Sequence, residues 1–115
     1  MECIFCKIVK KEMAADVLWE DQDTIVFRDI HPKAPTHVLV VPKAHIPSLS
    51  DAGEEDRAIL GKVLLAAKKV AKDVGIEDSG WKTVINVGRG GGQLIDHLHL
   101  HVLGGWETGA SRELP

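Results

Sequence analysis

The stretch DHLHLHVLGG, Asp96 to Gly105, sets three histidines at alternate positions with aliphatic residues filling the gaps. Side chains of a strand alternate faces, so a strand over His97 to Leu103 puts His97, His99 and His101 on one face and Leu98, Leu100 and Val102 on the other. The apolar set is expected to pack toward the core. The imidazoles then form a row with a spacing of about 7 Å, two rises of roughly 3.3 Å. Such a row suits metal binding, phosphate binding, or acid–base and nucleophilic work near neutral pH. Lysine, threonine or glutamate would serve a plain solvent-facing strand equally well, so three histidines in strict alternation point to chemistry.

Just before this strand lies NVGRGGGQ, Asn86 to Gln93. Glycine lets backbone approach a ligand closely and turn its N–H groups inward as an anion nest. The Rossmann fingerprint and the P-loop each need a helix directly after the loop, and neither spacing is present. A phosphate cradle feeding the histidine strand remains, with a flexible hairpin loop as the plain alternative.

The rest of the chain reads as support for that site. Val17–Trp19 and Thr24–Arg28 are predicted strands around the acidic turn 20–23, and His37–Val41 is a third, bounded by Pro35 and Pro42. Ile59, Leu60, Val63, Leu64, Ala67, Val70, Ala71 and Val74 recur at helical spacing, which predicts an amphipathic helix over about 54–74 covering one sheet face. Asp51 with Glu54 resembles a capping box, and Gly75 supplies a stop. Trp81–Val87 and the histidine strand complete a mostly antiparallel α+β domain. Trp19 and Trp81 are expected in the core or an interface, and His31 and His37 are assigned no role.

Length and charge narrow the class. The 115 residues suit one domain, and 44% hydrophobic with 27% charged residues is the composition of a globular protein. A formal charge of −3 with mixed signs gives no basic stripe for extended nucleic acid. No segment has the roughly 20 apolar residues of a membrane span, and the N-terminus has no long apolar h-region, so a cytoplasmic protein is expected. The two cysteines, Cys3 and Cys6, are too few for a disulfide framework and suggest metal or redox chemistry.

Taken in order, F-R-D-I (Phe27 to Ile30), A-P-T-H-V-L-V-V-P-K (Ala34 to Lys43), His45-Ile46, Asn86-x-Gly88, G-G-Q (Gly91 to Gln93) and H-L-H-L-H-V-L-G-G (His97 to Gly105) resemble the histidine triad family. The Gly-Gly after H-V-L is closer to its Hint branch of nucleoside phosphoramidate hydrolases than to the dinucleoside polyphosphate hydrolases. The resemblance implies a single domain with a five-stranded antiparallel sheet, one long and one short helix, and a sheet extended by homodimerisation. It implies a purine nucleotide pocket of the AMP or GMP type and no organic cofactor. Asp29 would hold the ribose hydroxyls, where its own residue context also allows a solvated turn carboxylate, and Ile30 would lie against the base. Asn86, Gly92, Gln93 and the residue after it, Leu94, would sit by the α-phosphate. His99 would be the nucleophile and His101 would bond a phosphate oxygen. A neutral imidazole, with an ordinary pKa of about 6.5, is a competent nucleophile at pH 7, so a nucleotidyl-histidine that water cleaves follows. Donors on the non-bridging oxygens would stabilise the developing charge.

Cys3-x-x-Cys6, within the first ten residues, is half of a tetrahedral zinc site, which needs two further N or S ligands. The resemblance implies His45 and His97 as the other two, making the zinc structural. Two reduced, packed cysteines are the competing reading, and a thioredoxin-like pair is weaker because that motif belongs in a βαβ unit.

Several residues depart from the family pattern. Leu94 stands where the branch commonly has serine, Asp96 replaces an aromatic, and Trp106 replaces an arginine at the start of a divergent tail over 106–115. Asp96 either orients His97 or is a solvated strand-end carboxylate. These departures keep three other readings open: a dinucleoside polyphosphate hydrolase, a nucleotidyl transferase, or a zinc-stabilised nucleotide- or partner-binding module with little catalysis.

Overall fold

Five short runs of β-branched and apolar residues pair into one sheet. The computed structural model describes residues 3–107; most of the divergent tail, from residue 108 on, lies outside the described residues. A short helix α1 (Ile4–Val9) leads into β1 (Val17–Glu20) and β2 (Thr24–Arg28). Between these strands Asp21 Oδ1 accepts the Asp23 and Thr24 N–H groups at 2.9 and 2.8 Å, which is why the acidic turn closes the hairpin. β3 (Thr36–Pro42), α2 (Arg57–Asp73), β4 (Trp81–Val84) and β5 (Leu100–Gly104) follow. The order β1-β2-β3-β5-β4 is antiparallel throughout, so β5 is inserted between β3 and the edge strand β4. The expected α+β architecture, five strands with one long and one short helix, is the one observed.

The two sheet faces differ. Val26, Val38, Val40, Leu100 and Val102 pack against Val63, Ala66, Ala67, Val70 and Ala71 of α2. Burial of each such valine or leucine is worth about 1.5–3 kcal/mol relative to exposure. On the other face Ile25, Phe27, Leu39 and Val41 lie under Phe5 and Ile8 of α1. Gly104 permits one close approach on the first side: a Cβ there would stand 2.8 Å from Ile76 Cδ1. The second glycine pair of the sequence signature thus begins with a packing requirement.

Three expectations need correction. The helix starts at Arg57, after a 3-10 turn at Glu54–Asp56, and it is this turn that is capped, the Gly53 N–H donating to Asp56 Oδ2 at 2.9 Å. The Asp51 carboxylate instead accepts the Ser48 hydroxyl at 2.8 Å. Leu64, assigned to the buried face, is 56% exposed, because the stripe runs through Val63, Ala66, Ala67 and Val70 and leaves Leu64 about 100° away from Val63. The last two strands are shorter than expected, four residues for β4 and five for β5. Among the described residues no helix is long and apolar enough to cross a membrane.

Candidate active site and metal centre

The histidine segment is only partly a strand. The β3–β5 register pairs Val40 with Leu100, which would bring Pro42 opposite Leu98. Proline has no N–H to donate, and the ladder stops. His97, Leu98 and His99 therefore precede β5, and the Leu98 N–H donates to the Ile46 carbonyl at 2.7 Å instead. The expected flat row of three imidazoles is not formed. His97 and His99 are buried, and the His99 and His101 ring centroids lie 5.0 Å apart.

His99 is held in one orientation. Its Nδ1–H donates to the His97 carbonyl at 2.7 Å, which leaves Nε2 with the free lone pair. The edge-on ring of Phe5 stands 5.1 Å away, centroid to centroid. Burial pushes the His99 pKa down, more than the His97 carbonyl and the Asp29 charge raise it, so the imidazole is neutral at pH 7.

His101, the first of the triad residues inside β5 proper, belongs to a second network. The Lys33 N–H donates to His37 Nδ1 at 2.9 Å, which assigns the proton to His37 Nε2. That N–H donates in turn to His101 Nδ1 at 2.9 Å, and Asp29 Oδ2 lies 3.4 Å from the same nitrogen. His101 consequently carries its proton on Nε2 as a donor. Burial, then His99 and His37, push the His101 pKa down to about 4, and burial likewise lowers that of His37. Asp29 Oδ1 accepts the His31 N–H at 2.8 Å, so the residue expected at the ribose is also a turn carboxylate. Ile30, expected at the base, is 83% exposed beside it.

The four residues Cys3, Cys6, His45 and His97 converge so that one donor atom of each lies within 4.8 Å of all the others. Cys3 Sγ is 3.3 Å and Cys6 Sγ 3.6 Å from His97 Nδ1; His45 Nδ1 is 3.3 Å from Cys6 Sγ and 3.1 Å from His97 Nδ1. Zn–S near 2.3 Å and Zn–N near 2.0–2.1 Å set tetrahedral edges of about 3.3–3.8 Å, within a few tenths of these separations. His97 Nε2–H donates to the Pro42 carbonyl at 2.8 Å, so its Nδ1 lone pair faces the cluster, with the outer-shell bond that orients a ligating imidazole. The donor set therefore fits a tetrahedral zinc.

The glycine loop is closed by its own hydrogen bonds. Gly91 and Gln93 N–H groups both donate to the Gly88 carbonyl, at 3.1 and 2.9 Å, and Gly92 donates to Arg89. Gly92 needs its φ of +88°, where a Cβ would be strained. Asn86 Nδ2 donates to the Gly91 carbonyl at 2.8 Å, while the Gln93 side chain is buried rather than aimed outward. Leu94 is 81% exposed, and its N–H has no partner among the described residues. Arg89 pairs with Asp96 at 3.1 Å, so Asp96 braces the loop. A cavity of about 460 Å³ opens between this loop and the segment His45, Pro47 and Ser48.

Two participants escape sequence reasoning. His37 looks like an ordinary strand histidine, and only the antiparallel register of β3 on β5, which pairs Leu39 with His101, brings it against the triad. Phe5 is hidden between the cysteines of C-I-F-C, and its only signal is an aromatic residue inside a ligand motif.

This arrangement has counterparts. The HIT domain family profile matches residues 10–108, and the chain belongs to that family. It is 48% identical over 102 residues to Protein HitA of Neisseria gonorrhoeae, covering 89% of this chain and 94% of that one. A HIT family hydrolase from Legionella pneumophila superposes with a TM-score of 0.91 at 44% identity, over 96% of this chain and 98% of that one. A Zn-bound histidine triad family protein from Mycobacterium smegmatis matches at TM-score 0.79 and 30% identity, over 96% and 79%. A histidine triad nucleotide-binding protein from Candida albicans matches at 0.80 and 33%, over 96% and 86%. The chain shares the HIT fold with these proteins.

Proposed function

We propose that the protein is a nucleoside 5′-phosphoramidate hydrolase that works through a nucleotidyl-His99 intermediate. The observation that carries this reading is the state of His99: buried, neutral, its Nδ1–H fixed on the His97 carbonyl and its Nε2 lone pair free. The Nε2 lone pair attacks the α-phosphorus, the P–N bond breaks, and the nitrogen leaves as an amine after taking a proton. Water then attacks the same phosphorus, the P–Nε2 bond breaks, and one proton returns to the site. One water is consumed, and the products are an amine and a nucleoside monophosphate. The His101 Nε2–H, set by His37, donates to a non-bridging oxygen and offsets the charge that develops there.

Asp29 receives the ribose hydroxyls, Ile30 offers an apolar surface to a purine, and Asn86, Gly92, Gln93 and Leu94 form the phosphate end with the Leu94 N–H as a free donor. Cys3, Cys6, His45 and His97 would hold a zinc ion that crosslinks α1 to the triad segment; their convergence supports this reading, as does the existence of a Zn-bound relative in Mycobacterium smegmatis. The exposed Leu64 and Leu65 on α2 and the free edge of β4 support a homodimer that extends the sheet. Incubation with adenosine 5′-phosphoramidate tests the enzyme reading. The wild-type chain is expected to release AMP, and His99→Ala is expected to lose at least about 10³-fold, some 4 kcal/mol of transition-state stabilisation. Full turnover by His99→Ala would refute it, and AMP binding without turnover by the wild type would favour a binding module.

A further inference from the structure

Gln93 is 2% exposed, and both functions of its side-chain amide are used. Oε1 accepts the Gly88 N–H at 2.9 Å, and Nε2 donates to the Pro47 carbonyl at 2.7 Å and the Ile95 carbonyl at 2.8 Å. These partners come from three places: the start of the glycine loop, the second residue after His45, and the second residue before His97. A parallel strut, the Leu98 N–H on the Ile46 carbonyl at 2.7 Å, joins the same two flanks of the metal centre. The loop backbone closes around the same residue, since the Gln93 N–H donates to the Gly88 carbonyl at 2.9 Å. Arg89 adds a contact to the Gln93 carbonyl. The amide thus stands between the Cys–His cluster and the glycine loop, with its oxygen bonded to the loop and its nitrogen to both flanks of the cluster.

We propose that Gln93 is a positioning residue that couples the two sites, so that zinc at the Cys3, Cys6, His45, His97 cluster orders the glycine loop for nucleotide through this one side chain. The proposal rests on the zinc and nucleotide readings given under Proposed function. Metal binding fixes His45 and His97, and with them the Pro47 and Ile95 carbonyls. Those carbonyls fix the amide, and the amide fixes Gly88, the hinge of the loop. Coupling of this kind is reciprocal: the factor by which zinc tightens AMP is the factor by which AMP tightens zinc.

Amide exchange followed by NMR on the wild-type chain, zinc-loaded and then stripped with a chelator, reads the strut directly. Among the described residues the Gly88 N–H has the Gln93 side chain as its one acceptor. It is expected to be protected in the loaded protein and to exchange at least about 5-fold faster in the stripped one. Gln93→Glu keeps the acceptor for Gly88 but sets a carboxylate oxygen against two carbonyls, and Gly88 should then exchange fast with or without zinc. Calorimetry with AMP gives the second readout. Wild-type affinity is expected to be about 5-fold or more higher with zinc than without, and this ratio should fall to about 1 in Gln93→Glu. A Gly88 rate that ignores zinc in the wild type, or a wild-type coupling ratio preserved in Gln93→Glu, overturns the proposal. Failure of loaded wild-type protein to bind AMP would overturn the nucleotide reading instead, and the Gly88 exchange would still decide the strut. Should Gln93→Glu not fold, the wild-type exchange decides the proposal by itself.

Discussion

Two clusters flank His99, each built on imidazoles, and they have opposite chemistry. Cys3, Cys6, His45 and His97 gather one ligand-type atom each around a common centre, and the His97 Nδ1 lone pair faces it because Nε2–H is held by the Pro42 carbonyl. Asp29, His37 and His101 also lie within metal-ligating reach of one another. There, however, the His37 Nε2–H already fills the gap between the rings at 2.9 Å, and the Lys33 N–H fixes that proton from behind. The first cluster has the donor set and spacing of a metal site; the second is satisfied as a hydrogen-bond relay. Proximity of ligand-type side chains is thus a weaker guide than the direction in which their protons point.

Removal of the thiolates should break the first cluster alone. Cys3→Ser with Cys6→Ser is expected to reduce zinc from about one equivalent to under a tenth, with a lowered melting temperature, since structural zinc binding is worth on the order of 10 kcal/mol at neutral pH. Metal analysis with calorimetric melting checks it, and retained zinc would remove these residues from the ligand set. His37→Gln should break the second cluster and leave zinc content unchanged. Losing the relay to His101 is expected to cost about 1–3 kcal/mol, or roughly 5- to 150-fold in kcat. An unchanged kcat would show that His101 needs no partner.

Acid should sharpen the contrast further. The histidines beside the relay have lowered pKa values, that of His101 about 4, so their neutral forms persist below the ordinary value of about 6.5. Activity is therefore expected to hold as pH falls past 6.5 and to fail only when His99 takes its proton. Stability has the same sign. Unfolded histidines bind protons below about 6.5 while folded His101 does not until about 4, so this contribution is complete above 6.5 and is lost as pH falls between the two. A rate profile whose acid limb sits at or above 6.5 would contradict the burial of these rings.

Much of the scaffold is legible in local pattern. Thr24–Arg28 is a strand at both its predicted ends, and the apolar periodicity of α2 locates Val63, Ala67, Val70 and Ala71 on its buried face. Leu64 misleads because leucine outranks alanine in hydrophobicity, while the buried stripe has room for Ala66. The alternation of His97 to Leu103 looks like uninterrupted strand, yet a proline on another strand, Pro42, keeps the ladder from starting before Leu100. Non-local register is likewise what makes His37 a partner of His101, 64 residues away, and a contact 46 residues away is what turns the Gln93 amide inward. The ligand types are visible in the sequence; the division of labour among them depends on these distant pairings.

The division itself is open to one direct measurement. Rapid acid-free quenching of the zinc-loaded wild-type chain during turnover of adenosine 5′-phosphoramidate, followed by peptide mass spectrometry, should find an adenylyl adduct on His99, with His97 and His101 unmodified. An adduct on His101 or His97, or turnover with no adduct at any histidine, would contradict the account.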